Sequence, residues 1–260
     1  MRTLRLIVRY VRHNLMSQMA YRGAFFLQVL GMALNDMMLL IFWALLFRQF
    51  PTLNGWTLQG IITLYAVVAT GFGVAAVIFG NSSRISRTIT TGDLDYYLAL
   101  PADPLVHLLV SRMVLSGLGD ALFGVILFII FVPGWLWKLP LFVLTSALTA
   151  ILFVSFAVIT GSLAFWLGQS EYLAMQLRNA MLSFSLYPVD IFPDAIRMLL
   201  YTLIPAALVG SVPATLLMAF DVRQLLLLVA ATAAMALLAR VVFHRGLRRY
   251  ESGNLVTVRG

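Results

Sequence analysis

Three charged residues stand inside runs that are otherwise apolar: Asp36 in FFLQVLGMALNDMMLLIFW, Asp120 in LSGLGDALFGVILF, and Arg178 in the more polar EYLAMQLRNAMLSFS. Two carboxyl groups that share one proton can act as a general acid and base, and Gly117-Leu118-Gly119-Asp120 has the GxGD form of an intramembrane aspartyl protease. The rest of that pattern is missing. Asp36 follows Asn35 where the pattern has tyrosine, and its Pro-Ala-Leu element is replaced by Pro205-Ala206-Ala207-Leu208. A carboxyl group in an apolar run is costly and needs a reason. For Asp36 the reasons are a substrate path, a subunit interface, or a hydrogen-bonded structural role inside a bundle. For Asp120 the structural role is the favoured one.

Other chemistries fall away quickly. The chain has no cysteine, which removes disulfides, thiol nucleophiles and thiolate metal sites. A phosphate-binding P-loop needs glycines and a lysine beside Ser or Thr, whereas the only lysine is Lys138, in WLWKLP. His13, His107 and His244 lie far apart with no HExxH pattern, so no metal site is expected.

The elements that carry these residues must be membrane helices. Of 260 residues 62% are hydrophobic and 11% charged, with a mean hydropathy of +0.95. A soluble domain carries roughly 25% charged residues, and its surface could not hide so much apolar side chain. A spanning helix needs about 20 mostly apolar residues. Runs 24–47, 56–79, 109–132, 141–167 and 222–243 meet this, and the shorter 172–187, with Arg178, is read as one more span. No cleavable signal peptide is expected, because four arginines are scattered through the first 12 residues and the first apolar run is too long for an h-region. The net charge of +8 flanks the apolar runs, where it meets anionic headgroups, and is not read as a nucleic-acid surface.

Orientation follows from the same charges. With six spans and the N-terminus inside, fourteen of the 18 basic residues fall on inner segments and four (Arg48, Lys138, Arg197 and Arg223) on outer ones. The apolar stretch 195–212 tests this count. Pro205 sits in its middle, flanked by Pro188, Pro193 and Pro213 and by Asp190 and Asp194. A seventh span there would send residues 244–250 outside, so 188–217 is read as two short helices dipping into the outer leaflet; a seventh span kinked at Pro205 is the alternative.

Two inner segments have patterns of their own. Arg2, Arg5, Arg9 and Arg12 share one face of a helix over residues 1–16, opposite Leu4, Ile7, Val8, Val11 and Leu15, as in a helix lying in the headgroup plane. That helix serves as a topology anchor or grips a partner. Residues 81–107 are too long for a tight connection. Asn81, Ser82 or Ser83 can cap a helix carrying Arg84 and Arg87 that Gly92 ends, and Asp93 or Asp95 can cap a second that stops before Pro101. Tyr96 and Tyr97 beside these charges suggest a docking surface, against a loop packed on its own bundle.

Together these segments resemble the membrane subunits of type-2 ABC transporters, the bacterial six-span branch. The resemblance rests on the N-terminal helix running into Tyr21-Arg22, on GDLDYYLALP at 92–101, on YPVDIFP at 187–193 leading to Ile204-Pro205, and on RGLRRYES at 245–252. It implies an all-α integral membrane fold: residues 1–22 as a connecting helix, and 23–260 as a six-span permease with coupling loop 81–107, re-entrant segment 188–217 and cytoplasmic tail 244–260. It implies that Arg84, Arg87, Gly92, Asp93, Asp95 and Pro101 couple to a cytoplasmic ATPase, while Asn35 and Asp36 line the path or the dimer interface. Pro188, Asp190, Pro193 and Pro205 would shape the re-entrant segment. The implied partners are ABC ATPase subunits carrying the ATP and magnesium, membrane lipid, and a second permease, for which unlike pairs are common in related systems. The implied location is a bacterial inner membrane. The fifth span departs from the pattern, being short and carrying Arg178. A non-transport membrane scaffold is the other reading of the chain.

Overall fold

The computed structural model describes residues 22–101 and 103–251. The expected connecting helix, with Arg2, Arg5, Arg9 and Arg12, lies outside the described residues, as do Tyr21 and the end of the tail from Ser252. Among the described residues there is no β-strand; the chain runs α1 (Arg22–Gln49), α2 (Leu58–Phe79), a 3-10 turn (Gly80–Arg84), α3 (Ile85–Thr90), α4 (Leu94–Leu98), α5 (Pro104–Val110), α6 (Gly117–Phe131) and α7 (Trp135–Ser162). It continues through α8 (Ala164–Leu167), α9 (Glu171–Ser185), a 3-10 turn (Val189–Ile191), α10 (Asp194–Thr202), α11 (Ala206–Val209), α12 (Ser211–Met218) and α13 (Val222–Leu247).

Local chemistry sets several of these boundaries. The Thr57 hydroxyl accepts from the Gly60 amide at the start of α2, and Asp221 accepts from the Arg223 amide at the start of α13, each satisfying an orphan donor. Gly134, with φ +68°, turns the chain from α6 into α7. Four helices (within α1, within α2 and α3, α7 with α8, and α13) are long and apolar enough to cross a membrane. α6 and α9 have 15 residues each, about 22 Å at 1.5 Å per residue, short of a hydrocarbon core near 30 Å. Helices α10 and α11–α12 meet at a bend of 69° around Pro205, so 195–212 is no straight helix.

The third expected span is corrected. The run 109–132 does not form one helix: α5 stops at Val110 and α6 begins at Gly117. Between them the chain binds sideways to α2. The Val114 amide donates to the Ala76 carbonyl at 3.0 Å and the Asn81 amide to the Arg112 carbonyl at 3.1 Å. Hydrophobicity alone had made the segment look continuous, but these cross-chain bonds replace the helical ones.

α2 and α7 form the centre of the bundle, α1 and α13 its flanks. α2 and α6 pack backbone to backbone. A Cβ on Gly73 would strike Gly117 and Ala121, one on Gly117 would strike Ala76, and one on Gly124 would strike Thr70 and Ala66. In lipid there is no hydrophobic gain from bringing apolar helices together, so close approach at small residues supplies the attraction. Above this seam the apolar core gathers Trp43, Leu64, Phe128, Phe142 and Leu152, with Phe128 and Phe142 stacked at 3.9 Å.

Gly124→Val should therefore destabilise the bundle by about 1–3 kcal/mol or more by overpacking, seen as a lower thermal midpoint in detergent. Gly31→Val, where an added Cβ meets nothing within 4 Å, is the control and should leave the midpoint unchanged. Equal midpoints for the two variants would show that the seam does not hold the helices.

Candidate functional site

The loop expected to dock a partner folds into a polar cleft at one end of the bundle. Asn81, Arg84, Arg87, Thr88, Asp93 and Tyr96 line it with Tyr97 and Arg112, around a volume of about 400 Å³. Helix α3 ends at Thr90, and Gly92 takes φ +81°, the left-handed C-terminal position expected of it. The expected caps are different. α3 has no side-chain N-cap; Asn81 instead donates to the Leu108 carbonyl and the Ser111 hydroxyl, both at 2.9 Å, tying the 3-10 turn to α5. Asp93 precedes α4 without capping it and accepts from the Thr91 hydroxyl at 2.7 Å. Arg84, Arg87, Asp93 and Pro101 are exposed, Asp95 is half-buried, and Tyr96 is 63% exposed.

Behind the cleft lies a second apolar core, in which Ile85, Ile89, Leu94 and Leu108 meet Val158 of α7 and Ala239 and Phe243 of α13. The loop is thus packed on its own bundle, as one sequence-based reading has it, and presents a charged outer face. Asp103 caps α5 through the Val106 amide at 3.1 Å. Its other oxygen faces Arg240 at 3.6 Å and His244 at 3.7 Å, both on α13. Tyr250 reaches back and donates to the Gly92 carbonyl at 3.2 Å. Burial and hydrogen bonding to Asp95 push its phenol up to about 12. Sequence reading quoted RGLRRYES and GDLDYYLALP separately; it had no signal that Tyr250 joins them. Arg112 counts in the sequence only as an inner charge at the start of the run 109–132, and Asp103 only as part of the loop 81–107; the place of Arg112 in the cleft and the link from Asp103 to α13 have no local signal.

Inside the bundle the two aspartates meet. The side chains of Asp36 on α1 and Asp120 on α6 face each other, with Asn35 beside Asp36. Asp120 is 4% exposed, and its second oxygen has no partner among the described residues. Two turns along α1, the Trp43 indole donates to the Tyr65 hydroxyl at 3.3 Å and its ring packs edge-on to Tyr187. Sequence reading paired Asp36 and Asp120 only through the aspartyl-protease pattern, which it set aside; their helices lie far apart in the chain and nothing in the spacing signals the contact.

At the other end Asp190 fixes the turn before α10. Its carboxylate accepts from the Trp56 indole at 2.9 Å, and its carbonyl from the Asn54 amide at 2.8 Å. Pro188 and Pro193 bracket this turn, while Pro205 stands at the bend before α11. No cluster of three or more metal-ligating side chains occurs among the described residues.

His107, on α5, is 5% exposed with its ring edge-on to Tyr97, and burial lowers its pKa from the ordinary 6.5. A group with a depressed folded pKa contributes stability that is whole above its unfolded pKa and is lost as pH falls through the folded one. Acidification from about pH 8 to about pH 5 should lower the thermal midpoint of the wild-type chain more steeply than that of His107→Gln. Parallel pH profiles would show that the ring is not sealed in the loop core.

Residues 33–253 match the family model described as ABC-2 family transporter protein. No curated protein matches the chain significantly.

Proposed function

The chain belongs to the ABC-2 transporter family as a multi-pass membrane permease subunit of an ABC transporter, and from that premise we propose that it forms half of the path of an ATP-driven exporter. A second permease, more readily an unlike one, would form the other half, and ABC ATPase subunits carrying ATP and magnesium would drive it from the cytoplasm. The chain's own role is transport, and the hydrolysis belongs to the partner.

One observation carries the coupling part of this reading: the cleft around Arg84, Arg87, Asp93, Tyr96 and Arg112 is charged and exposed outside yet anchored on α7 and α13 inside. A docking surface must be open to its partner and stiff enough to pass a displacement to the membrane helices. The apolar core beneath the cleft supplies that stiffness, and the Asp103 link to α13 and the Tyr250 latch on Gly92 fix the loop's position on it. Pro101 follows the loop's second helix, and the expected connecting helix with Arg2, Arg5, Arg9 and Arg12 would flank the ATPase from the membrane surface. Asn35 and Asp36 belong to the path or dimer interface in this reading; α1, the helix that bears them, has little of its surface covered by its own bundle.

Six spans are the favoured topology, with α6 and α9 as short crossings, both termini cytoplasmic and the chain in a bacterial inner membrane. The bend of 69° at Pro205 supports a re-entrant pair that turns back toward the outside, with Asp190 held by Trp56 and Asn54 as its hinge. A non-transport scaffold has no observation in its favour. The meeting of Asp36 and Asp120 provides the two carboxyls of an aspartyl protease, but family membership assigns the chain to transport.

The complex tests this reading directly. ATP turnover by the copurified ATPase should depend on this chain. Arg87→Ala with Asp93→Ala should leave the chain folded yet lower coupled transport by about tenfold or more, since each lost charge-assisted contact is worth about 1.5–3 kcal/mol. Cysteines at 87 and 93 that never cross-link to the ATPase would remove the docking assignment.

Topology is checked separately. Reporters fused after Gly260 and inserted at Thr91 should both read cytoplasmic, and one at Asp194 external. An external reading after Gly260 would turn α10–α12 into a crossing and discard the re-entrant pair.

A further inference from the structure

Arg178 counts among the inner basic residues, but the coupling argument gives it no task. It sits on α9, a helix read as a membrane crossing, where an arginine costs about 2.5–3.5 kcal/mol on insertion scales. Among the described residues no ion pair or hydrogen bond holds its guanidinium; Glu171, two turns back on the same helix and exposed, is the acid it senses. A charge kept at such cost and left unpaired among the described residues has its counter-charge elsewhere.

The surroundings say what that counter-charge is attached to. Arg178 and Asn179 line a cavity of about 280 Å³ bounded by α2, α7, α9 and the 3-10 turn 80–84. Ser82 and Ser83 of that turn complete a polar end. The remaining wall is apolar, and Phe72 and Phe153 form an edge-on aromatic pair in it, 5.4 Å between centroids. A guanidinium fork matches the oxygens of a carboxylate or phosphate, and the amide and hydroxyls add hydrogen-bonding groups beside it. The greasy wall disfavours a fully hydrated anion. Ligand pockets run from about 300 to 1,000 Å³, so this one holds a single chain and a compact head.

We propose that this cavity is a binding site for an anionic amphiphile, with a phosphate or carboxylate head on Arg178, Asn179 and the two serines and one alkyl or aryl tail against Phe72 and Phe153. The occupant is a free single-tailed amphiphile or one tail and the head of an anionic membrane lipid; the chemistry of recognition is shared. Because Ser82 and Ser83 belong to the turn that leads directly into α3, occupancy bears on the docking cleft. That consequence rests on the exporter reading, whereas binding itself does not.

The test uses the full-length chain in nanodiscs of zwitterionic phosphatidylcholine, without any ATPase, and dodecyl phosphate bearing a diazirine on its tail. Photolabel should fall on peptides containing Phe153 and Phe72, and unlabelled dodecyl phosphate should compete while dodecyltrimethylammonium and inorganic phosphate do not. Arg178→Gln should weaken labelling by about tenfold or more, as expected for losing a charge-assisted contact. Its thermal midpoint should not fall, because a costly intramembrane charge has been removed, and Arg178→Lys should keep part of the binding. Competition by phosphatidylglycerol added to the nanodisc would identify the occupant as membrane lipid; its failure to compete would identify a free amphiphile. Labelling that the cationic amphiphile displaces equally well, or that survives Arg178→Gln unchanged, overturns the site. Failure of ATP coupling with binding intact would count against the exporter reading alone.

Discussion

The structure depends on the close approach of α2 and α6. Where Gly73, Gly117 and Gly124 meet the opposing backbone, no side chain separates the two helices. In lipid this contact is what a hydrophobic core is in water, since packing and not solvent release holds the helices together. It also explains the shortness of α6. Once the segment before Gly117 lies against the end of α2, the Val114 amide binds Ala76 and the helix upstream must break. A broken backbone at that depth is tolerated because protein, not lipid, satisfies it.

The break creates the charged cleft at one end of the molecule. Residues 111–116 run across the end of α2, so Arg112 turns outward beside Arg84 and Arg87, while α5 folds under α3 and α4. Asn81 stitches the turn to α5, and Asp103 and Tyr250 bind the loop to α13 and to the tail. The ion pairs are half-exposed and individually worth little. The stiffness comes from the buried isoleucines and leucines beneath them, which make the cleft and the ends of α7 and α13 one packed unit. A push on the cleft therefore reaches two long membrane helices without an intervening flexible joint.

Much of this was legible in the sequence because its signals are local. Apolar length located the long helices, Gly92 marked the end of α3, and Pro205 marked the bend before α11. The run 109–132 failed because its apolar character is real, while its backbone partners sit on α2, outside any sequence window. The meeting of Asp36 with Asp120 and of Tyr250 with Gly92 was hidden for the same reason: each joins residues distant in the chain, and a single polar residue in an apolar run does not announce its partner. Arg178 was visible as an anomaly, but the cavity it lines is made by four separate segments.

The helices also differ in what binds them to the bundle. α2 and α7 are enclosed by apolar neighbours, whereas α1 presents Leu27, Leu34, Met38 and Leu45 outward and buries chiefly Trp43 and Phe47. Ala33, Leu39, Leu40 and Leu46 add partly buried apolar contacts, and polar ones join them: Asp36 facing Asp120, and Trp43 bonded to Tyr65. Apolar close packing resists a shift of even a fraction of an ångström, because every displaced methyl leaves a void. A hydrogen bond between side chains breaks and re-forms with another partner at lower cost, provided a donor or acceptor waits nearby, and Asn35 and the free oxygen of Asp120 are such groups. α1 is thus held to the bundle by a thinner apolar contact than α2 and α7, and in part by polar contacts that can exchange partners.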